Sequence, residues 1–302
     1  MNIPNNFKSG YVAVIGRPNV GKSTLTNALL QFPLSIATAK PQTTRHRILG
    51  IHTEADAQII FLDTPGLIEP KYKLQEWMVK AAYSALKDAD IILLMTEAAR
   101  RPDDRDRPLS AKVLEYQKPT VLAINKIDCV DKNTLLPLID AYRAQADWAA
   151  IVPISALKQE NLGELKSVLL SLLPFGPPFY PPDVVTEHPE RFFVSELVRE
   201  QIFRQYGEEV PFSTAVVIDE FRERSAGKDF IRARIVVERE SQKKIVIGKG
   251  GQAIRNLGVN ARAAVEGFLE RQVYLELHVV VKENWRKNDQ FLKEFGYDVR
   301  GI

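Results

Sequence analysis

The chain has a single cysteine, Cys129, among its 302 residues. No internal disulfide can form. That excludes a disulfide-framed secreted fold and points to a reducing compartment. Histidines are few and scattered (His46, His52, His188 and His278), which argues against a zinc cluster. No apolar run approaches a membrane span; the densest, such as Ile91–Met95, are far too short. The polar first ten residues lack the apolar core of a signal peptide. Charge of one sign is also scarce. The 41 Lys and Arg against 38 Asp and Glu leave only +3, which excludes a histone-like polycation.

What is present is the composition of a folded protein, 45% hydrophobic and 26% charged. At roughly 150 residues per domain, the length predicts about two domains, each large enough for its own core.

Hydrophobic patterning divides the chain in two. Tyr11–Ile15, Arg47–Ile51, Ile59–Leu62, Ile91–Met95, Thr120–Ile124 and Ala149–Ile154 read as strands. Helical periods at Ser23–Leu30, Leu74–Leu86, Leu109–Tyr116, Leu135–Ala146 and Leu162–Leu173 alternate with them. Short apolar strands alternating with helices predict a mostly parallel α/β sheet covered on both faces. The pattern then stops at Pro174–Pro182, where five prolines occupy nine positions. Proline fixes φ and removes a donor, so this stretch should be an extended, semi-rigid linker. Beyond it the expected order is α-β-β-α-α-β and then a helical tail, Trp285–Phe295. The boundaries follow: a nucleotide domain at 1–173, a linker at 174–190 and a smaller α+β domain at 191–302.

Four motifs stand at successive strand tips. Gly16-Arg17-Pro18-Asn19-Val20-Gly21-Lys22-Ser23, followed by Thr24, fits the phosphate-loop pattern. Its glycines let backbone N–H groups cradle phosphate, Lys22 supplies positive charge, and the Ser23 hydroxyl offers a ligand to Mg²⁺. Asp63-Thr64-Pro65-Gly66 places a carboxylate to hold Mg²⁺ and a glycine N–H near a γ-phosphate. Asn125-Lys126-Ile127-Asp128 selects the base. A carboxylate at Asp128 accepts from both N1–H and the 2-amino group of guanine, whereas adenine would leave that charge unpaired. In Ser155-Ala156-Leu157, the Ala156 N–H is placed for guanine O6.

Together these motifs resemble the translation-factor-like class of GTP-binding proteins, over roughly residues 8–173. The resemblance gives Pro41-Gln42-Thr43-Thr44-Arg45-His46-Arg47 a meaning as the first switch. One threonine there binds Mg²⁺ and senses the γ-phosphate; Thr44 is the first choice and Thr43 the alternative. The position that holds a water-orienting glutamine in Ras-like proteins is Leu67 here, which cannot hydrogen-bond water. Asn19 resembles the asparagine that binds K⁺ in some related GTPases, so slow, K⁺-assisted hydrolysis is expected, with Asn19, Lys22, Thr44 and Gly66 at the reaction. Arg45 is a weaker cis-acting candidate, a switch-loop arginine being more often a solvated charge.

In the second domain, Gly248-Lys249-Gly250-Gly251 is a G-x-x-G turn, the device with which KH domains clamp nucleic-acid backbone. The flanking order resembles the type II KH topology over about residues 191–282. Lys243, Lys244, Lys249, Arg255 and Arg262 surround the turn, and no acidic residue occurs from Ser241 to Val265. One-signed charge beside such a turn reads as a phosphate-binding surface. Ile245 and Ile247 are the expected apolar lining for unstacked bases. Charge is therefore unevenly spread: residues 1–190 hold 21 basic and 21 acidic side chains, and 191–302 hold 20 and 17.

The whole chain resembles the bacterial KH-domain GTPases of small-ribosomal-subunit assembly. That resemblance implies binding to the 3′ end of small-subunit (16S) ribosomal RNA and to the assembling 30S subunit. It also implies a cytoplasmic monomer with peripheral contact to the inner membrane. Two rival readings are an RNA-binding protein whose nucleotide pocket is only structural, and a GTPase acting mainly at membranes. The complete phosphate and switch motifs disfavour the first, and the lack of a long amphipathic anchor disfavours the second.

Overall fold

The computed structural model describes residues 6–38, 40–98 and 106–297. Most of the charged loop Arg100–Arg107, for which the sequence suggests no function, lies outside the described residues.

The first unit contains β1 (Lys8–Gly16), α1 (Lys22–Leu30), β2 (Ile48–Thr53), β3 (Ala57–Asp63), α2 (Lys73–Asp88), β4 (Ile91–Glu97), α3 (Asp106–Leu114), β5 (Thr120–Asn125), α4 (Leu135–Arg143), β6 (Ala150–Pro153) and α5 (Leu162–Leu172). The six strands lie in the order β2-β3-β1-β4-β5-β6. All neighbours are parallel except β2 and β3, which a turn closed by Glu54 N–H to Ala57 O (2.8 Å) makes antiparallel.

Side-chain alternation along β1 explains the two-faced core. Val12 and Val14 face α1 and α5 among Leu25, Leu29, Leu165 and Leu169. Ala13 and Ile15 face α2, α3 and α4 among Leu86, Val113, Leu138 and Tyr142. Parallel strands bring their C-terminal ends to one edge, so the four motif loops converge there.

Residues 174–186 run as a strap against this sheet. Ser9 N–H donates to Pro174 O (3.1 Å), Gly176 N–H to Phe7 O (3.0 Å) and Ile51 N–H to Val185 O (2.7 Å). Buried Gln58 accepts from the Phe179 and Tyr180 N–H groups and donates to Tyr180 O (2.9 Å). The proline-rich stretch departs from the extended linker expected: it bends at Phe179–Tyr180 and turns after Pro181, where Val184 N–H donates to Pro181 O (3.2 Å), and the bonds above tie it to the first unit.

The second unit has α6 (Glu190–Gln205), β7 (Ala215–Arg222), β8 (Asp229–Val237), α7 (Glu240–Ile247), α8 (Gln252–Leu269) and β9 (Val273–Val281). Strand β8 is central, antiparallel to β7 and parallel to β9. The helices bury Val198, Ile202, Val246, Leu257 and Ala261 against Ile235 and Val237. The tail departs from the single helix expected at Trp285–Phe295. A 3₁₀ turn at Trp285–Lys287 is followed by α9 (Asp289–Glu294). Trp285 is fully buried and donates Nε1–H to Ser213 O (2.9 Å), which anchors the turn. Asn288 then caps α9 by accepting from the Gln290 and Phe291 N–H groups, a role its short amide suits.

The two units share apolar contacts. Leu74 and Met78 of α2 pack in one cluster with Trp285, Leu292, Phe295 and Tyr297, and Leu34 and Ile48 meet Phe193.

Candidate functional site: a phosphate pocket and a glycine turn

A pocket at the sheet edge is lined by Pro18, Asn19, Gly21–Thr24, Thr64 and Gly66, and by Ile36–Thr38, Lys40 and Gln42–Thr44 from the switch. Its glycines are sterically required. A Cβ on Gly21 would lie 2.3 Å from Asn125 Nδ2, and one on Gly66 would lie 2.6 Å from the Pro18 nitrogen. Gly21 also has φ +98°, a conformation side chains disfavour. Asn19 adopts φ 68°, which asparagine tolerates.

Lys22 is buried and donates Nζ–H to Gly16 O (3.1 Å) and Arg17 O (2.9 Å). Burial lowers its pKa to about 8, and the Asp63 carboxylate opposes that shift. Ser23 Oγ lies 2.8 Å from Thr44 Oγ1 and donates to Asp63 Oδ2 at 3.0 Å. Burial pushes the Asp63 pKa up, and the Ser35 hydroxyl, Lys22 and Ser23 pull against it. Asp63 Oδ1 has no hydrogen bond of normal geometry although it is buried. Two hydroxyls and a carboxylate with an unused oxygen form a hard-oxygen set that fits Mg²⁺. Of the two candidate threonines, Thr44 has its hydroxyl in this set.

Beside the pocket, Asn125 donates to Val20 O (2.8 Å) and accepts from the Ala156 N–H (2.9 Å), so the donor expected at guanine O6 is bonded within the protein in this structure. It thereby ties the phosphate loop to the loops that follow β5 and β6. Lys126 donates to Asn19 O (2.8 Å) and pairs with Glu97. Ser155 donates to Asp128 Oδ1 (2.6 Å), which holds that exposed carboxyl below the usual range and keeps it an acceptor. Val20 and Ile127 turn their side chains into the core, so only their backbone faces a ligand. Thr64 donates to Val14 O (2.7 Å), Pro65 is buried beside it, and Leu157 is exposed at the rim. The side chain of Leu67 packs against the second apolar cluster and leaves the phosphate pocket.

The segment before the switch holds residues that motif reasoning missed. Ser35, Thr38 and Lys40 obey no short pattern, and only the fold brings them to the pocket. Arg45 corrects both sequence expectations, since it neither faces phosphate nor is solvated. It is 4% exposed, and its guanidinium donates to carbonyls of the second unit.

At the far end of the second unit, Gly248, Gly250 and Gly251 all have positive φ, and Lys249 is exposed at the apex. Nothing lies within 4 Å of a Cβ placed on Gly250 or Gly251. Lys244, half-exposed Ile245 and Arg255 flank the open turn in sequence and are exposed, Arg262 is exposed about 15 Å further along α8, and Lys243 and Ile247 are partly covered. Tyr206 at the end of α6 donates to Val246 O (2.8 Å), and Gln205 donates to Ala253 O (2.8 Å). These two bonds join α6 to both flanks of the turn.

Comparison with known proteins agrees with this division. Residues 11–126 match the family described as 50S ribosome-binding GTPase, and residues 209–286 match the KH domain. The chain is 46% identical to GTPase Era of Geotalea daltonii over 97% of its own length and 98% of the relative's. It is 45% identical to a chloroplastic GTPase ERA-like protein of Arabidopsis thaliana, of which it covers 70%. Two crystal structures superpose with TM-scores of 0.94 at 43% identity, covering 97% of this chain and 100% of theirs. One is a point variant of Aquifex aeolicus Era bound to GDP·AlF4⁻; the other is Era with MgGDPNP and nucleotides of 16S ribosomal RNA.

Proposed function

The chain belongs to the Era family of GTPases, and on that premise we propose that it is a GTP-driven switch that carries an RNA-binding KH domain to the 3′ end of small-subunit ribosomal RNA during subunit assembly. The observation that carries this reading is the presence of both sites, intact and linked, in one chain. The phosphate pocket gathers the Ser23 and Thr44 hydroxyls and the Asp63 carboxylate beside Lys22, and α6 connects the switch side of the molecule to the glycine turn. The family description for the first domain names the large subunit, but the relative seen with 16S RNA matches almost the whole chain. The full-length likeness favours the small subunit.

The reading assigns residues as follows. Ser23, Asp63 and Thr44 hold Mg²⁺, which when bound offsets charge on the β- and γ-phosphates. Lys22 and the 16–24 loop bind phosphate, Gly66 N–H meets the γ-phosphate, and Asn125–Asp128 with Ser155–Leu157 read guanine. With Leu67 turned away and Ile68 apolar, neither orients water, so hydrolysis is slow; Asn19 would hold a K⁺, which when bound would supply positive charge there. Gly248–Gly251, with Lys243, Lys244, Arg255, Ile245 and Ile247, receives RNA. The domains divide at 1–173, 174–190 and 191–302.

The protein acts as a cytoplasmic monomer with peripheral contact to the inner membrane. Among the described residues no helix is long and apolar enough to cross one. Crosslinking RNA to the protein in cell extract and sequencing it tests the partner. Recovery of small-subunit 3′-terminal RNA is expected, and recovery of unrelated RNA would overturn the reading. Steady-state rates in K⁺ and Na⁺ test the cation. Wild type should be faster in K⁺ and Asn19→Ala equally slow in both; a wild type indifferent to the cation would remove K⁺ from the account.

A further inference from the structure

Thr44 is the switch residue whose hydroxyl touches the Mg²⁺ set, and the residues on both sides of it are held by the other domain. Before it, Thr43 O accepts from Arg199 Nη2 of α6. After it, Arg45 donates to Thr214 O (2.7 Å), Pro211 O (3.1 Å), Phe212 O (3.1 Å) and Tyr297 Oη (3.3 Å). Its guanidinium carbon also lies 5.9 Å from the centre of the Trp285 ring. His46 stacks on Tyr297 with centroids 4.6 Å apart. Four residues upstream of Thr44, Lys40 Nζ donates to Phe203 O and Tyr206 O at the C-terminal end of α6. Those carbonyls have no helical N–H to accept from, and the helix dipole makes that end attractive to an ammonium.

None of these contacts belongs to the phosphate chemistry itself, yet together they decide where the Thr44 backbone sits. A buried guanidinium needs its donors filled, and the acceptors are carbonyls of the second domain. If the two domains part, Arg45 loses all four partners at once. The same segment then keeps only its first-domain contacts, with Gln42 Oε1 accepting from Gln75 Nε2 (3.2 Å) and Arg47 on Ser84 and Asp88 at its ends and the Ser23 hydroxyl at Thr44 itself.

We propose that Arg45, supported by Lys40 and Arg199, is a positioning residue for nucleotide recognition, through which the KH domain holds the first switch closed so that Thr44 reads a triphosphate. The inference rests on the assignment of Thr44 above. It predicts a selective effect: GTP binding, which uses Thr44, depends on Arg45, whereas GDP binding does not.

The test measures dissociation constants of the full chain for GDP and for a non-hydrolysable GTP analogue, both with Mg²⁺. Thr44→Ala is the reference, and Arg45→Ala, Arg45→Lys and Lys40→Met are the probes. Arg45→Ala should weaken the analogue about tenfold, the effect of a tie worth roughly 1.4 kcal/mol, and leave GDP within about twofold. Arg45→Lys keeps the charge but not the fork, and should fall between it and wild type. Lys40→Met, whose stem borders the pocket but whose ammonium sits on Phe203 O and Tyr206 O, gives a second reading should Arg45→Ala fail to fold, taken as the ratio of analogue to GDP affinity so that a direct pocket effect on both nucleotides cancels. KM for GTP should rise with kcat less affected, because ground-state binding is lost. If Thr44→Ala is selective for the analogue while the Arg45 and Lys40 variants weaken both nucleotides alike or neither, the positioning role is wrong. If Thr44→Ala itself is not selective, the assignment of Thr44 falls instead.

Discussion

Two glycine-rich turns, both proposed above to meet phosphate, are built under opposite constraints in this molecule. In the first domain, the glycines are walled in: a Cβ on Gly16, Gly21 or Gly66 would approach neighbouring atoms to 2.6 Å or less. In the second, Gly248 is also hemmed in, a Cβ there meeting Ala253 Cβ at 2.6 Å, but the apex glycines Gly250 and Gly251 face open space, and only their φ of +59° and +77° asks for glycine. The first turn is a pre-built mould whose charges, Lys22 and Asp63, are already buried. The second is a bare ridge with exposed cations around it, ready for a backbone of variable sequence. The contrast teaches that one site derives selectivity from a rigid shape and the other derives affinity from accessibility.

Substitutions at each turn can break that contrast. The largest effect is expected at the base-reading edge of the mould. Asp128→Asn should weaken guanine nucleotides by on the order of 10⁴, because it removes the ionised acceptor for two donors. Nucleotide titration of the folded variant checks this, and a loss below tenfold would reject Asp128 as the base reader. Next is Gly66→Ala, whose methyl group meets the Pro18 backbone. It should weaken the GTP analogue by roughly 10²-fold, a distortion of about 2.7 kcal/mol, with RNA binding by the nucleotide-free protein unchanged. Gly250→Ala should do the reverse. It should lower RNA affinity by about tenfold, through a left-handed strain of about 1–2 kcal/mol, and leave nucleotide affinity intact. If it weakens nucleotide as well, the two turns are not separable.

The smallest effect is a pH dependence. Lys22 has its pKa lowered to about 8 by burial, and phosphates favour its charged form. Binding therefore takes up a proton above that pH, and affinity falls as pH rises, by at most about tenfold per unit. Below about pH 7 the curve should be flat. Calorimetry of GDP binding between pH 6.5 and about 8.5 checks both limbs, and an affinity that rises with pH would contradict the buried ammonium.

The mould was legible in the sequence because phosphate and guanine chemistry dictate local residue patterns at strand tips. Asn125 and Ser155 stand where their motifs put them, and α6 to β9 follow the expected order. What was not legible depends on distant partners. Arg45 reads as a polar-loop residue until Pro211–Thr214 cover it from more than 160 positions away. The tail looked like one helix because Trp285 and Phe295 share its apolar pattern. The buried indole and the Asn288 cap divide it, and both depend on tertiary contacts. The strap at 174–186 announced its prolines and not its edge bonds, since Gln58 lies over a hundred residues earlier.

The central claim is that nucleotide state and RNA binding are coupled in one chain. The most direct measurement is the affinity of the full chain for a small-subunit 3′-terminal RNA, taken with GDP and again with a non-hydrolysable GTP analogue. The account predicts tighter RNA binding with the analogue and, by linkage, tighter analogue binding with RNA present. Identical RNA affinities in the two nucleotide states would contradict it and leave the phosphate pocket a structural feature of an RNA-binding protein.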